Sequence, residues 1–242
     1  EISGGGSVSI ISSTTVDHVD FIDCKLGNTG SARIIQLDDW CSMVRSEFHT
    51  CSEVRPVVLG SNCSVYGCWF HSCTGSPTDN DALLYVVHSC AVYGNFFDLG
   101  TRAGAGVVMN ATNNIRSNIC KLNNVAAKGV DGLSHTNSVV GNSIHNAAAG
   151  TACGIEMPNN SYMWFVVGNA IEGFDGAGGD GIRSTGSATR PVLVASNVFR
   201  DCSTNVDIPS DPTTLQEDND TAGGTLFSAP GSDDFRATSE LK

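Results

Sequence analysis

Short apolar runs recur along this chain, each broken by a small or amide residue and followed by a polar stretch. The clearest is Val92-Tyr93-Gly94-Asn95-Phe96-Phe97, where apolar positions flank a Gly-Asn pair. The same shape returns at 115–120, 139–144, 166–171 and 194–199, and looser copies stand at 16–21, 43–48 and 65–70. Each copy ends on a reference position held in turn by Phe21, Phe48, Phe70, Phe97, Cys120, Ile144, Ile171 and Phe199, at steps of 27, 22, 27, 23, 24, 27 and 28 residues. Self-similarity at that period in a Gly- and Asn-rich chain predicts a solenoid.

The columns predict which solenoid. Five residues before the reference stand Val16, Met43, Val65, Val92, Ile115, Val139, Val166 and Val194, all apolar. Three before it stand His18, Arg45, Gly67, Gly94, Ser117, Gly141, Gly168 and Ser196, mostly small. Two before it, the last five copies carry Asn95, Asn118, Asn142, Asn169 and Asn197. Short β-branched runs with period-two alternation, broken by Gly and Asn, are strands and turns. The leucine framework or helical pattern of other solenoids is absent. The chain is therefore expected to be all-β, a single parallel β-helix of about eight coils. Stacked coils bring equivalent residues to about 4.8 Å, the spacing of neighbouring strands. Asn at one turn of successive coils can then donate its amide to the next side-chain oxygen, and it tolerates the left-handed backbone of a sharp corner.

These columns resemble the right-handed parallel β-helix superfamily, which includes pectate-lyase-like enzymes and phage tailspikes. The resemblance covers roughly 9–208 and implies a right-handed coil. It leaves 1–8 as a linker or frayed first coil and 209–242 as a C-terminal cap or extended tail. Thr225-Leu226-Phe227 followed by Asp234-Phe235-Arg236 looks like the closing element of many bacterial and viral β-helix repeat proteins. The start at Glu1 is expected to mark a processed product or a fragment.

Composition narrows the partners. Charged residues make up 16% of the chain, and 13 basic against 25 acidic side chains give a net charge of −12. Nucleic acid and anionic lipid share that sign and are not expected as partners. A neutral glycan, a cationic partner or divalent cations remain compatible. No apolar run approaches the ~20 residues that span a bilayer. Ten cysteines would suggest a disulfide framework. In this register, however, Cys24, Cys51, Cys73 and Cys202 share one inward column, where free Cys behaves as a small hydrophobe. Parallel side chains on adjacent coils fit disulfide torsions poorly, and Cys63, Cys68 and Cys73 lack zinc spacing. Reduced core thiols are expected, with no metal and no cofactor.

Candidate chemistry sits one residue after the reference, an outward position occupied by Ile22, His49, His71, Asp98, Lys121, His145, Glu172 and Arg200. Read as catalysis, His71 and Asp98 on adjacent coils are a base and its orienting carboxylate, with Lys121 a neighbouring cation. Read as surface, Asp98–Lys121 and Glu172–Arg200 are cross-strand ion pairs on a solvated face. Asp38-Asp39 is similar to the paired aspartates of polygalacturonases. Their Asn-Thr-Asp, Gly-His-Gly and Arg-Ile-Lys partners are missing, with Gly181-Ile182-Arg183 a partial echo of the last. Asp38, Asp39, Glu156, Asp175 and Asp180 share no column in this register. Among the aromatic residues, Trp40, Tyr66, Trp69, Tyr93, Tyr162 and Trp164 are candidates for sugar stacking, and Tyr66 and Tyr93 share a column that forms a two-rung glycan platform.

With no coherent catalytic constellation and thiols that read as reduced, the expectation is a structural or receptor- or glycan-binding module of a phage or virus particle. A tailspike, fibre or capsid-decoration protein would fit. A secreted polysaccharide lyase or glycoside hydrolase is the alternative, and a bacterial surface adhesin the second. The implied partners are a glycan or host surface polysaccharide and a homotrimer or larger assembly. The implied location is a virion or extracellular surface, after assembly in a reducing cytoplasm.

Overall fold

In the computed structural model each repeat folds into three short strands joined by tight corners, and equivalent strands of successive repeats pair in parallel. The structure describes residues 2–4, 11–12, 18–28, 33–74, 81–134, 137–158, 163–185, 192–208, 214–217 and 219–221. Among these residues sheet A has ten strands, from Ile2–Gly4 to Asp220–Thr221. Sheet B has nine described strands, from Ile11–Ser12 to Thr204–Asp207, and sheet C nine, from Asp20–Ile22 to Thr214–Glu217. The chain passes from A to B to C and back in every turn, so the three sheets wall one continuous core. The described residues contain no helix, and the number of coils is close to the expected one.

The reference column lines the inside of sheet A, where Phe48, Phe70, Phe97, Cys120, Ile144, Ile171 and Phe199 fall in register. The Phe48, Phe70 and Phe97 rings stack at 4.9 and 4.8 Å. Met43, Val65, Val92, Ile115, Val139, Val166 and Val194 do the same inside sheet C. The first coil differs from the expected register. Leu26, not Phe21, pairs with Phe48, and Phe21 pairs with Met43. Val16, Phe21 and Leu26 follow one another at five-residue intervals, so apolar spacing cannot choose between them. Asp23-Cys24 makes the corner instead. This moves Ile22 to the outer face of sheet C beside Val44, puts Gly27 opposite His49, and removes Cys24 from the Cys51 column, where Asn28 stands. Strand pairing also runs past Ile208, through Thr214–Glu217 and Asp220–Thr221, and includes Ile2–Gly4 at the other end. Val16, Tyr162 and the segment 225–236 lie outside the described residues.

The corner from C to A explains the small-residue column. Asp23, Arg45, Gly67, Gly94, Ser117, Gly141, Gly168 and Ser196 all have φ between 48° and 66°, a conformation that disfavours most side chains. The next residue carries a ladder. The Nδ2 of Asn95, Asn118, Asn142 and Asn169 each donates to the Oδ1 of the next asparagine at 3.0 Å, ending on Asn197. Asn219 extends it, accepting from Asn197 at 2.9 Å. Each Oδ1 also accepts the backbone N–H of the rung before, and each Nδ2 reaches a sheet C carbonyl, so these buried amides are fully used.

In the first third of the chain, cysteine and serine take the same position. Cys24 N–H donates to Ser46 Oγ at 3.1 Å, Ser46 N–H to Cys68 Sγ at 3.5 Å, and Cys68 N–H to Asn95 Oδ1 at 2.8 Å. The B-to-C corner repeats the device, with Cys41 N–H on Cys63 Sγ and Cys90 N–H on Asn113 Oδ1. The thiols of Cys24, Cys41, Cys63, Cys68, Cys73, Cys90 and Cys202 each fold back onto the carbonyl two residues earlier, at 3.2–3.5 Å. All ten cysteines are thiols, none in a disulfide. Burial pushes Cys68 and Cys202 up to about 11 and Cys73 and Cys120 up to about 12, so these remain protonated at neutral pH. Most of the cysteines thus serve as corner residues, not only as small hydrophobes.

Inside sheet B runs a column of glycines. A Cβ on Gly129, Gly154 or Gly181 would stand 2.4–2.6 Å from Ile144, Ile171 or Phe199, and one on Gly106 would stand 3.1 Å from Cys120 Sγ. The reference column of sheet A therefore packs directly onto sheet B backbone.

Candidate functional site

Outward positions alternate with these core columns, and the outer faces differ. On sheet A, Glu47, Trp69, Phe96 and Ile119 form one outward column. Beside it run His49 with His71, and then Asp98, Lys121, His145, Glu172 and Arg200. A groove of about 730 Å³ opens there, lined by Trp69, His71, Asp98 and Arg102 among others. A shallower hollow of about 340 Å³ adjoins it, lined by Asp23, Lys25, Arg45, Glu47 and Trp69.

The structure brings His71 and Asp98 to one groove but does not join them. His71 Nε2 lies 2.9 Å from Glu47 Oε1, and its Nδ1 lies 2.9 Å from Ser72 Oγ. Trp69, two residues earlier on the same strand, stacks on the imidazole at 4.0 Å. The carboxylate that orients His71 is therefore Glu47, one coil before it, and not Asp98. Glu47 also holds Lys25 at 3.0 Å. Burial works to raise the Glu47 pKa, but the hydrogen bonds from Lys25 and His71 outweigh it and keep the carboxyl below its ordinary range. Asp98 faces Lys121 at 3.6 Å and accepts the Gly100 N–H at 3.0 Å. Arg102 forms part of the groove wall, nearly buried, donating to the carbonyls of Glu53 and Val54. Its burial lowers its pKa.

Aromatic rings border this groove across a corner. Tyr66 and Tyr93 stack at 4.7 Å on the outside of sheet C, and Arg116 lies over the Tyr93 ring. Only the Gly67-Cys68 turn separates Tyr66, 43% exposed, from Trp69, 45% exposed. Trp69 meets Phe96 edge-on at 6.4 Å. The rings form one ridge along the A–C edge. Of the other aromatic candidates, Trp40 stands on the B-to-C corner against His18, and Trp164 is wholly buried in the core. The asparagines of the ladder are buried beneath this ridge and the coils beyond it.

The outer face of sheet B carries a cluster that the sequence reading missed. Asp131, Glu156 and Arg183 share one column, and Cys153 and Asp180 an adjacent one. Lys128 Nζ lies 3.1 Å from Asp131 and 3.3 Å from Glu156, while Arg183 lies 2.7 Å from Glu156 and 3.5 Å from Asp180. Cys153 Sγ meets Glu156 Oε2 at 3.3 Å. A signal was present: Lys128-Gly129-Val130-Asp131, Cys153-Gly154-Ile155-Glu156 and Asp180-Gly181-Ile182-Arg183 are copies of one motif. Each of its charges has a partner, so the cluster reads as a closed network.

Among the described residues, no three His, Cys, Asp or Glu side chains are placed to hold a metal ion, and no helix is long and apolar enough to cross a membrane. Compared with known proteins, the chain matches no family model, no curated protein and no solved structure.

Proposed function

We propose that this solenoid is a structural, glycan-binding module of the tailspike or fibre kind, with the A–C ridge and its groove as the binding surface. The observation that carries the reading is the exposed pair Tyr66 and Trp69, with the half-buried Tyr93 stacked behind Tyr66, beside a polar groove. Rings that leave a flat face in water gain most by stacking on an apolar face of a ligand, and sugars offer one. The carboxylates favour binding over cleavage. Glu47 and Asp98 stand two coils apart and two residues apart along the strand, roughly 12 Å by strand geometry. Retaining glycosidases need about 5–5.5 Å and inverting ones about 6.5–9.5 Å. Both carboxylates are also tied to lysines. Reducing-end and unsaturated-product assays on a glycan panel are expected to show binding without turnover.

A second reading rests on one contact. His71, held by Glu47 at 2.9 Å at the edge of an open groove, has the form of a general base with its orienting carboxylate. A polysaccharide lyase or hydrolase would use it so. Turnover lost in a folded His71→Ala variant would establish that reading and displace the first.

A further inference from the structure

We propose that the thiols of Cys51 and Cys73 hold one soft monovalent cation, copper(I) by its chemistry, in line between them, with the Arg102 guanidinium as its countercharge. The coils set the spacing. Thr74 N–H donates to the Cys51 carbonyl at 2.8 Å, which places Cys73 over Cys51 in the stack. Each follows a left-handed residue, Thr50 at φ 53° and Ser72 at φ 55°, so both side chains leave the backbone in the same direction. Equivalent side chains then stand about 4.8 Å apart, and their parallel course is wrong for the crossed torsion of a disulfide. Two collinear metal–thiolate bonds of roughly 2.3 Å span nearly that distance. The expectation of no metal rested on zinc spacing, and zinc asks for four ligands. Two in line suffice for a closed-shell monovalent ion, and soft thiolates select copper(I).

Arg102 supplies the charge. Gly100, next in the column, carries no side chain, and Arg102 reaches from that coil back to the carbonyls of Glu53 and Val54. The groups whose charge it feels most are Cys73 and then Cys51, ahead of Asp81 and Glu53. Arg102 is 4% exposed, its Nε has no hydrogen-bond partner, and no described carboxylate pairs with it. A cation buried in that state lacks compensation. Two protonated thiols offer none. Two thiolates on one monovalent cation carry a single net negative charge and supply it, whereas on a divalent ion they would be neutral. Binding moves no electrons: each sulfur releases its proton to water and donates a lone pair to the cation. Cys73 and Arg102 both line the groove, which gives the ion a path. The other stacked thiols, Cys63 and Cys90, have the Asp39 carboxylate as charged neighbour and lack this balance.

The test titrates the folded, reduced full chain with copper(I), supplied anaerobically as its acetonitrile complex, against the chelator bathocuproine disulfonate. One ion should be retained per chain, with two protons released. X-ray absorption should show two sulfur neighbours. Cys51→Ala and Cys73→Ala should each abolish retention, and Cys90→Ala should leave it unchanged. Arg102→Met should weaken it about 10- to 100-fold, the usual cost of losing a partner that supports metal ligands. Arg102→Lys, which keeps the charge, should recover part of the loss. Where a variant does not fold, the absorption spectrum of the parent chain still decides. No retained copper, or three or more sulfur neighbours, overturns the site. Copper retained equally by folded Cys51→Ala and Cys73→Ala overturns its placement, and equal affinity in folded Arg102→Met overturns the role of the arginine.

Discussion

The outer faces of sheets A and B carry the same kinds of side chain in opposite settings. On sheet A, Asp98 and Lys121 face each other at 3.6 Å with side chains 28% and 58% exposed. On sheet B, Lys128 and Asp131 lie 3.1 Å apart with side chains 8% and 2% exposed. Water screens the first pair and leaves it little net worth. The second has surrendered its water, so each charge depends on its partners and the cluster is strong only while complete. Exposure, not residue type, decides which face can meet a ligand and which holds the coil register.

Removing one member of the buried network should give the largest effect. Glu156 accepts from Arg183 at 2.7 Å and faces Lys128 at 3.3 Å, so Glu156→Ala strips both cations of a shared anion. A loss of about 3–5 kcal/mol is expected. Urea unfolding followed by circular dichroism measures it, and a loss below about 1 kcal/mol would mean the network is solvated like the sheet A face.

Acid and base should attack sheet B from both sides. Burial acts to raise the Glu156 pKa, but Arg183 and Lys128 overcome it and hold the carboxyl below its ordinary value. Its stabilisation is therefore present above the unfolded carboxylate pKa, about 4.3, and lost as pH falls through the lower folded value. Burial acts to lower the Lys128 pKa, but Asp131 and Glu156 hold it above its ordinary value. That stabilisation is complete below about 10.4 and lost as pH rises through the higher folded value. Asp180 opposes the acid loss, because burial raises its pKa and makes the folded state the tighter proton binder. Melting temperature should be flat from about pH 4.3 only to about 8.5, the unfolded thiol value. Above it the buried thiols of Cys68, Cys73, Cys120 and Cys202, raised in the folded state, already lose their stabilisation. It should fall outside both limits. In Glu156→Gln the acid limb should shrink; an unchanged limb would assign acid sensitivity to other carboxylates.

The inner side of sheet B offers a third test, on the backbone beneath the network. A methyl on Gly154 would stand 2.5 Å from Ile171 Cγ2 and 2.8 Å from the Gly181 carbonyl oxygen. Gly154→Ala should cost about 1–3 kcal/mol as strain. Gly168→Ala, with open space around its Cβ but φ at 66°, separates backbone strain from this overpacking. Equal losses in the two would show that conformation, not contact, governs both.

The legibility of the chain follows the same divide. Columns anchored on the C-to-A corner could be read because that corner has constant length: apolar residue, left-handed residue, ladder residue and reference recur at fixed spacing from Met43 to Phe199. The first coil escaped because Val16, Phe21 and Leu26 offer two equal spacings, and only the turn chemistry of Asp23-Cys24 separates them. Sheet B escaped because the corner from A to B varies. Nine residues separate Cys120 from Gly129, and ten separate Ile144 from Gly154. A register carried over from sheet A therefore scatters Glu156 and Asp180 into unrelated columns. The ridge was half legible. Tyr66 and Tyr93 share a strand position, but the proximity of Trp69 depends on the chain turning a corner between them. The partner of His71 was not legible, since Glu47 reaches it diagonally from the next column.

The smallest effect is expected on the open face. Lys121→Ala removes one partner of an exposed pair, and Asp98 keeps both water and the Gly100 N–H. The loss should be about 0.2–1 kcal/mol and should shrink further with added salt, since a Debye length near 10 Å at 0.1 M already screens exposed charges. Salt should at the same time stabilise the parent chain by screening the self-repulsion of its −12 charge. The two trends separate in a double comparison: the parent's melting temperature rises with sodium chloride while the gap to Lys121→Ala closes. Repeating the titration with Lys128→Ala should leave its gap nearly unchanged, because ions do not reach a pair so little exposed. A Lys128→Ala gap that closed with salt as fast as the Lys121→Ala gap would erase the distinction between the two faces, and with it the reason to place the ligand on sheet A.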